Sequence, residues 1–541
     1  MQLDLISSIV FLPLLGAGLL VVLPRANRDL ARAVAFGFSL VVLALAAYLF
    51  IVYQRGSCAP LVLPAALTPV SAGPRVLLPS PAVFQCENYA PFFPLLGASW
   101  HVGVDGLGLA MVLMTAILTP LAIMISWDIK ERLNEYLALL LVMEMAVMGV
   151  FVSLDLLMFF IFYELSIVPT FFLINQWGGP NRKAASFRFF LYIMAGSLGL
   201  LLSIQMIGAL SGTFDLRALL TTWPNNLTLQ GQTISAPFGM SLQTVKLIAF
   251  GAISLAFALK TPIWPFHTWL PDTQEQAPTA ASMLLFKVGA FGFLRLAVPL
   301  FPAEAQQWAP VLAILATIGI VLGALSAYGQ TSLRRLIAYS TVGHMGFVAL
   351  GIAAFAAVYN TILTKTPAND LVELTRSVTL ATNGAILQMF THGLTAAAMF
   401  LLAGALFRKS GTDDLNRFGG LWGLAPAYGA LLVFTGMASL GLPGLSDFVG
   451  EFQLVAGTWW IFPFYVAVAM IGLLISGAYI LKVIQKILQG PIREEWQGYR
   501  LEITRLELVA MAPLVVITVV TGLYPNWIVT AINATVTRLF G

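Results

Sequence analysis

The chain has 541 residues, of which 59% are hydrophobic and only 10% charged. A soluble domain carries about a quarter of its residues as charges, so this composition excludes a soluble globular protein and indicates a polytopic membrane protein. The net charge of +4 does not point to nucleic acid, because the basic residues gather in short loops between apolar runs.

At roughly 20 residues per crossing, about fourteen apolar runs are long enough to span a bilayer. They are 5–24, 31–53, 102–126, 135–153, 155–176, 187–210, 243–270, 278–300, 307–328, 336–358, 380–406, 425–460, 464–488 and 507–525. The opening MQLD has no basic segment and no A-x-A-like site closes the first run, so that run is read as a retained span. Most Lys and Arg, including Arg25, Lys130, Arg188, Arg335, Arg408 and Lys486, fall in loops on one face. By the positive-inside rule that face is cytoplasmic and both termini lie outside. The insertion at 55–100 then lies outside as an external cap. Its Cys58 and Cys86 are free to pair or to stay as thiols.

Two spans should be broken. The seventh carries Lys260 immediately before T-P-I-W-P, where Pro262 and Pro265 interrupt the helix. The twelfth breaks at G-L-P-G-L-S and carries Glu451 shortly afterwards. Five spans separate the breaks, which gives the corresponding elements opposite orientation, as in inverted transporter repeats. The expected organisation is helices 1–2 over 1–54, the insertion at 55–100, and helix 3 with its cytoplasmic loop over 101–134. A first five-helix repeat follows at 135–300 and a second at 301–490, with a loop and the last helix at 491–541.

Ionisable side chains inside spans are costly and therefore functional candidates. Glu164, in FFIFYELSIVP, is expected to face Lys260 and form a pair whose separation releases a proton; the alternative is a static ion pair. Lys287 suits a relay position or snorkels to an interface. His344 and His392 are suited to pass protons near neutral pH, or are hydrogen-bonded core residues. Glu451 ends the series, with Asp447 as an external neighbour. In span order the line is Glu164, Lys260, Lys287, His344, His392, Glu451. Glu144 is a candidate pathway-lining carboxylate, followed by Asp155 near a membrane face. His267 and Asp272 are expected to shape the seventh-span break or a proton entrance. Asp413 and Asp414 have the chemistry for Mg²⁺ but read better as a solvated loop. No grouped cysteines for iron–sulfur or thiolate metal sites occur, nor a phosphate loop, nor a dinucleotide fingerprint.

The stretches FYELSIVP, WGGPNRKAASFRFFLY, LKTPIWPFHTWLPDTQEQAPTA, RRLIAYSTVGHMGFV, THGLTAAAMFLLAGAL and GLPGLSDFVGEF closely resemble the antiporter-like proton-pumping subunits of respiratory complex I, NADH:quinone oxidoreductase, in particular the NuoM type. The resemblance covers about residues 100–525. It implies fourteen helices in two inverted five-helix repeats, with Glu164 and Lys260 as the pair, Lys287, His344 and His392 as the central relay, and Glu451 as the distal carrier. It also implies that flavin, iron–sulfur clusters and quinone sit in partner subunits, with none bound by this chain. The expected partners are other membrane-arm subunits, with antiporter-like paralogues on either side, in a bacterial inner membrane. The external insertion is longer than the family pattern. The run from Pro278 to Lys287 is shorter by about four residues, roughly one helical turn, which moves Lys287 in depth while keeping its face. Competing readings are a subunit of a Mrp-like cation/proton antiporter complex and a passive membrane scaffold.

Overall fold

Four aspartates mark where helices start on one face. The side chains of Asp4, Asp105, Asp155 and Asp215 accept backbone N–H groups at the starts of α1 (Leu5–Val22), α3 (Gly106–Ile125), α5 (Leu156–Leu165) and α8 (Leu216–Thr222), satisfying donors that a helix leaves orphaned. The structure, a computed structural model, describes residues 4–58, 84–93, 97–235, 239–284, 287–364 and 369–540. Between α2 (Arg28–Gln54) and α3 runs an antiparallel hairpin of β1 (Gln85–Phe93) and β2 (Ala98–Val104), with Tyr89 opposite His101. The apolar stretch before Asp105, expected to open the third span, is therefore a strand. Cys58 and Cys86 are joined in a disulfide that ties the end of α2 to β1.

The remaining helices follow in order. They are α4 (Leu133–Val152), α6 (Ile167–Trp177), α7 (Arg182–Ser211), α9 (Leu242–Lys260), α10 (Trp269–Gln276), α11 (Thr279–Met283), α12 (Val288–Gly292), α13 (Val298–Leu300) and α14 (Pro302–Gly329). Then come α15 (Leu333–Thr364), α16 (Asn369–Ser410), α17 (Pro426–Ser439), α18 (Ser446–Trp459), α19 (Pro463–Leu488), α20 (Arg505–Leu523) and α21 (Asn526–Leu539). Among the described residues thirteen helices are long and apolar enough to cross a membrane. The pair α17–α18, interrupted at Leu440–Leu445, occupies the position of the expected broken twelfth span. The fold is thus an all-α polytopic membrane protein.

Burial separates interior from perimeter. The apolar window of α3 is wholly buried and that of α16 is 89% buried, whereas α2 is 28% and α19 and α20 are each 33%. Perimeter helices expose Leu15, Val22, Leu202, Leu474 and Leu523, side chains that hydrocarbon solvates as readily as protein does. The central α16 packs closely on α18 because glycines remove side chains from the seam. A Cβ on Gly384 would lie 2.3 Å from the Leu454 backbone nitrogen, one on Gly450 2.7 Å from Gln388 Oε1, and one on Gly457 2.3 Å from the Ala381 nitrogen. Small residues at such positions let helix backbones approach. This contact brings Glu451 against Gln388.

The eighth span departs from expectation. Lys287 is the N-cap of α12 rather than a residue inside a helix, and Phe293–Ala297 forms one turn of π-helix before α13.

Candidate functional site

Broken helices supply the geometry. Between α5 and α6, just before Pro169, the Tyr163 carbonyl is bonded by Ser166 Oγ and also accepts from Lys260 Nζ at 3.1 Å. Lys260 donates further to Ser166 Oγ at 2.9 Å and sits 3.6 Å from the centre of the Tyr163 ring. Glu164 is half-buried beside Ser197 of α7, and its Oε1 has no hydrogen-bond partner. The direct Glu164–Lys260 contact expected from sequence is therefore absent. The two groups are close enough for their charges to interact, but the ammonium hydrogens are spent on Tyr163 and Ser166. The interruption of the helix after Leu165 is what offers those oxygens.

A cavity links this lysine to the next one. Ser166, Thr170, Lys260, Gln274, Lys287 and Thr341 contribute its polar lining. Beyond Lys287 the polar groups come into contact. Lys287 lies within range of charge interaction with Asp447 of α18 and His392 of α16. The His392 ring stacks on His344 with centroids 4.5 Å apart. His344 Nδ1 lies 2.9 Å from Glu451 Oε1, which also accepts Gln388 Nε2 at 3.1 Å. The other histidine nitrogen, Nε2, is 3.5 Å from Ser439 Oγ. Asp447, fully buried, accepts Thr395 Oγ1 at 2.8 Å. His392 and His344 thus stand side by side, on α16 and α15, and Thr341 and Met345 of α15 line the same cavity as Lys287. Asp447, expected as an external neighbour of Glu451, stands one turn before it on α18.

Glu144 is fully buried on α4 with Thr119 of α3 as its polar neighbour. Neither carboxylate oxygen is hydrogen-bonded, and it does not line the cavity that its neighbours Met143 and Val147 reach. His267 is half-buried beside Tyr339, with Nδ1 unpartnered. Asp272 is gripped by Arg188 and by Arg335 at 2.8 Å, and Glu275 adds 3.0 Å to Arg335, which braces α7, α10 and α15 on the basic face. Asp413 accepts from Ser332 and Arg334, and Asp414 caps a short turn at Leu415–Arg417, so both serve the loop.

Sequence reasoning missed a second cluster beneath the hairpin. His101 is wholly buried, with Nδ1 2.5 Å from Asp215 and Nε2 3.0 Å from Glu87; Glu87 also takes Arg217 at 2.8 Å. Burial alone would lower the imidazole's affinity for protons. The hydrogen bonds and charges of Asp215 and Glu87 outweigh it and hold His101 up to about 9. A polar residue alternating with apolar ones in S-W-H-V-G-V was the available signal. Asp105 and Arg295 form a further buried pair at 2.5–2.6 Å.

A polytopic helix bundle with broken helices and buried acids, amines and imidazoles in its interior has the architecture of an ion-translocating membrane subunit. The NADH:quinone oxidoreductase/Mrp antiporter transmembrane family model matches residues 153–365 and 371–476. NADH-quinone oxidoreductase subunit M of Rhodobacter capsulatus is 34% identical, across 99% of this chain and 96% of that protein. The subunit M of Escherichia coli is 34% identical across 82% and 83%. Among solved structures, respiratory complex I from Thermus thermophilus with bound NADH matches with TM-score 0.79 at 27% identity, across 99% of this chain and 100% of that one. A Mrp complex from Dietzia has the same fold, with TM-score 0.73 at 20% identity across 98% and 52%. The chain belongs to the NADH:quinone oxidoreductase/Mrp antiporter family and is of the M-subunit type within it.

Proposed function

We propose that this chain is a proton-translocating membrane subunit of an NADH:quinone oxidoreductase. Protons pass along Glu164, Lys260, Lys287, His392, His344 and Glu451, driven by electron transfer in other subunits that hold the flavin, iron–sulfur clusters and quinone. The chain itself performs no redox step. Its neighbours are other membrane-arm subunits, including antiporter-like paralogues, in a bacterial inner membrane with the hairpin and both termini on the outer face. The observation that carries this reading is the buried contact series from His392 through the stacked His344 to Glu451, with Lys287 and Lys260 lining one cavity beside it. Moving a proton against 100 mV takes about 2.3 kcal/mol. Making or breaking one buried charge contact is of that order or larger.

In inverted membrane vesicles, Lys260→Ala should leave the complex assembled and oxidising NADH while abolishing acidification. Full acidification by that variant would refute the proposal and favour a passive scaffold. The Mrp fold match supports an antiporter subunit as the second reading. Co-purification with small antiporter subunits, in place of a redox arm, would select it.

A further inference from the structure

The Asp105–Arg295 pair lies off the line just described, but Arg295 shares a helical segment with Lys287. The inner piece of that span, α11, is seated against α16, where a Cβ on Gly404 would lie 2.2 Å from Thr279 Oγ1. The outer piece is seated against α9. Cβ atoms on Gly289 and Gly292 would meet Thr261 Oγ1 at 2.5 Å and the Phe257 ring at 2.4 Å. Lys287 is the N-cap of this outer piece, with φ −83° and ψ 32°. Its depth and direction therefore follow whatever holds the outer piece.

That hold is Arg295, on the turn of π-helix. Its guanidinium donates to both Asp105 oxygens, at 2.6 and 2.5 Å, between the rings of Phe84 and Phe291 at 5.0 and 5.2 Å. Asp105 is itself fixed as the cap of α3, accepting from Gly108 N at 2.8 Å. A planar two-point bond fixes rotation as well as distance, which a single ammonium contact does not. Isolated π-turns inside α-helices recur at functional sites.

We propose that Arg295, held by Asp105, is a positioning residue for Lys287: it sets the register of the outer segment so that the ammonium stands between the Lys260 cavity and the Asp447–His392 pair. This rests on the proton-translocating reading above. Lys260 of α9, Gln274 and Thr341 line the same cavity as Lys287, and Asp447 of α18 and His392 of α16 lie within range of its charge. A shift of the outer segment changes the distance from Lys287 to each of them, and with it the pH at which the lysine yields its proton.

The test uses the whole complex in inverted vesicles, with proton uptake measured per NADH oxidised from pH 6 to pH 9. Arg295→Lys keeps the charge and loses the fork, and Asp105→Asn keeps the cap and loses the charge. Each should lower the proton yield and displace its pH profile by about one unit, with NADH oxidation retained. Fewer complexes carrying an unchanged per-complex profile, or no assembly in either variant, would make the pair purely structural and overturn the proposal. Lys287→Ala separates the two claims. Normal pumping by Lys287→Ala sinks the relay itself, whereas loss of pumping there with an unaltered Arg295→Lys sinks only the positioning role.

Discussion

The two broken helices hold their charged groups in contrasting arrangements. At the end of α9, Lys260 is bonded to a carbonyl and a hydroxyl, and Glu164 Oε1 is left without a hydrogen-bond partner. Around α18, Glu451 is closed onto His344 and Gln388, and Asp447 onto Thr395. The difference is one of backbone supply. The interruption after Leu165 frees oxygens that compete for the lysine, whereas the Gly384–Gly450 contact presses α16 onto α18 and leaves the carboxylate only side-chain partners. Similar chemistry is thus loose at one end and tight at the other, an asymmetry suited to passing charge between them.

The sharpest way to break this comparison is to remove each carboxylate. Glu451→Ala leaves His344 and Gln388 facing a buried gap and should destabilise by about 3–5 kcal/mol, whereas Glu164→Ala should change stability by about 1 kcal/mol or less. Thermal unfolding of the detergent-solubilised complex reads both, and equal losses would erase the contrast.

His101 offers a calibrating site outside the spans, being clamped between two carboxylates where His344 has one. Its proton affinity in the folded chain lies above the ordinary imidazole value, at about 9. The stabilisation is therefore complete below about pH 6.5 and is lost as pH rises through 9, amounting to roughly 3 kcal/mol. Proteolysis within β1 and β2 should accelerate between about pH 6.5 and pH 9 and level off above, and this dependence should vanish in His101→Gln.

Gly450→Ala should force α16 from α18, destabilising by about 1–3 kcal/mol and lowering proton uptake as Gln388 and Glu451 separate. Gly477→Ala, where the nearest atom to an added Cβ is 3.7 Å away, is the matched control. The smallest effect is expected from Ser439→Ala. Its hydroxyl stands 3.5 Å from His344, so the loss should stay within about 1 kcal/mol and leave the pH profile of pumping in place.

Much of the bundle was legible because crossing hydrocarbon requires long apolar runs and helix breaks require residues such as Pro262 or Gly444. Those signals are local, and the helices appear where they fall. Lys260, Lys287, His344, His392 and Glu451 stood out because an ionisable side chain in an apolar run is conspicuous wherever it points. His101 and Asp105 did not stand out. Each sits at the edge of an apolar stretch, where a polar residue is unremarkable, and Asp215 and Arg295, which they meet, lie more than a hundred residues away in sequence.

Composition and hydropathy, taken alone, determined that this chain is a many-helix membrane protein, where it is interrupted, and which titratable groups lie at depth. Tertiary structure decided which of those groups meet. It stacked His392 on His344, turned Lys260 to Ser166 rather than Glu164, and joined Arg295 to Asp105 across the bundle. The physical reason is that burial energy acts on each helix separately and is nearly indifferent to rotation in an apolar bundle. Pairing depends on where glycines permit close approach and where broken backbone offers an oxygen, and those are properties of two helices at once.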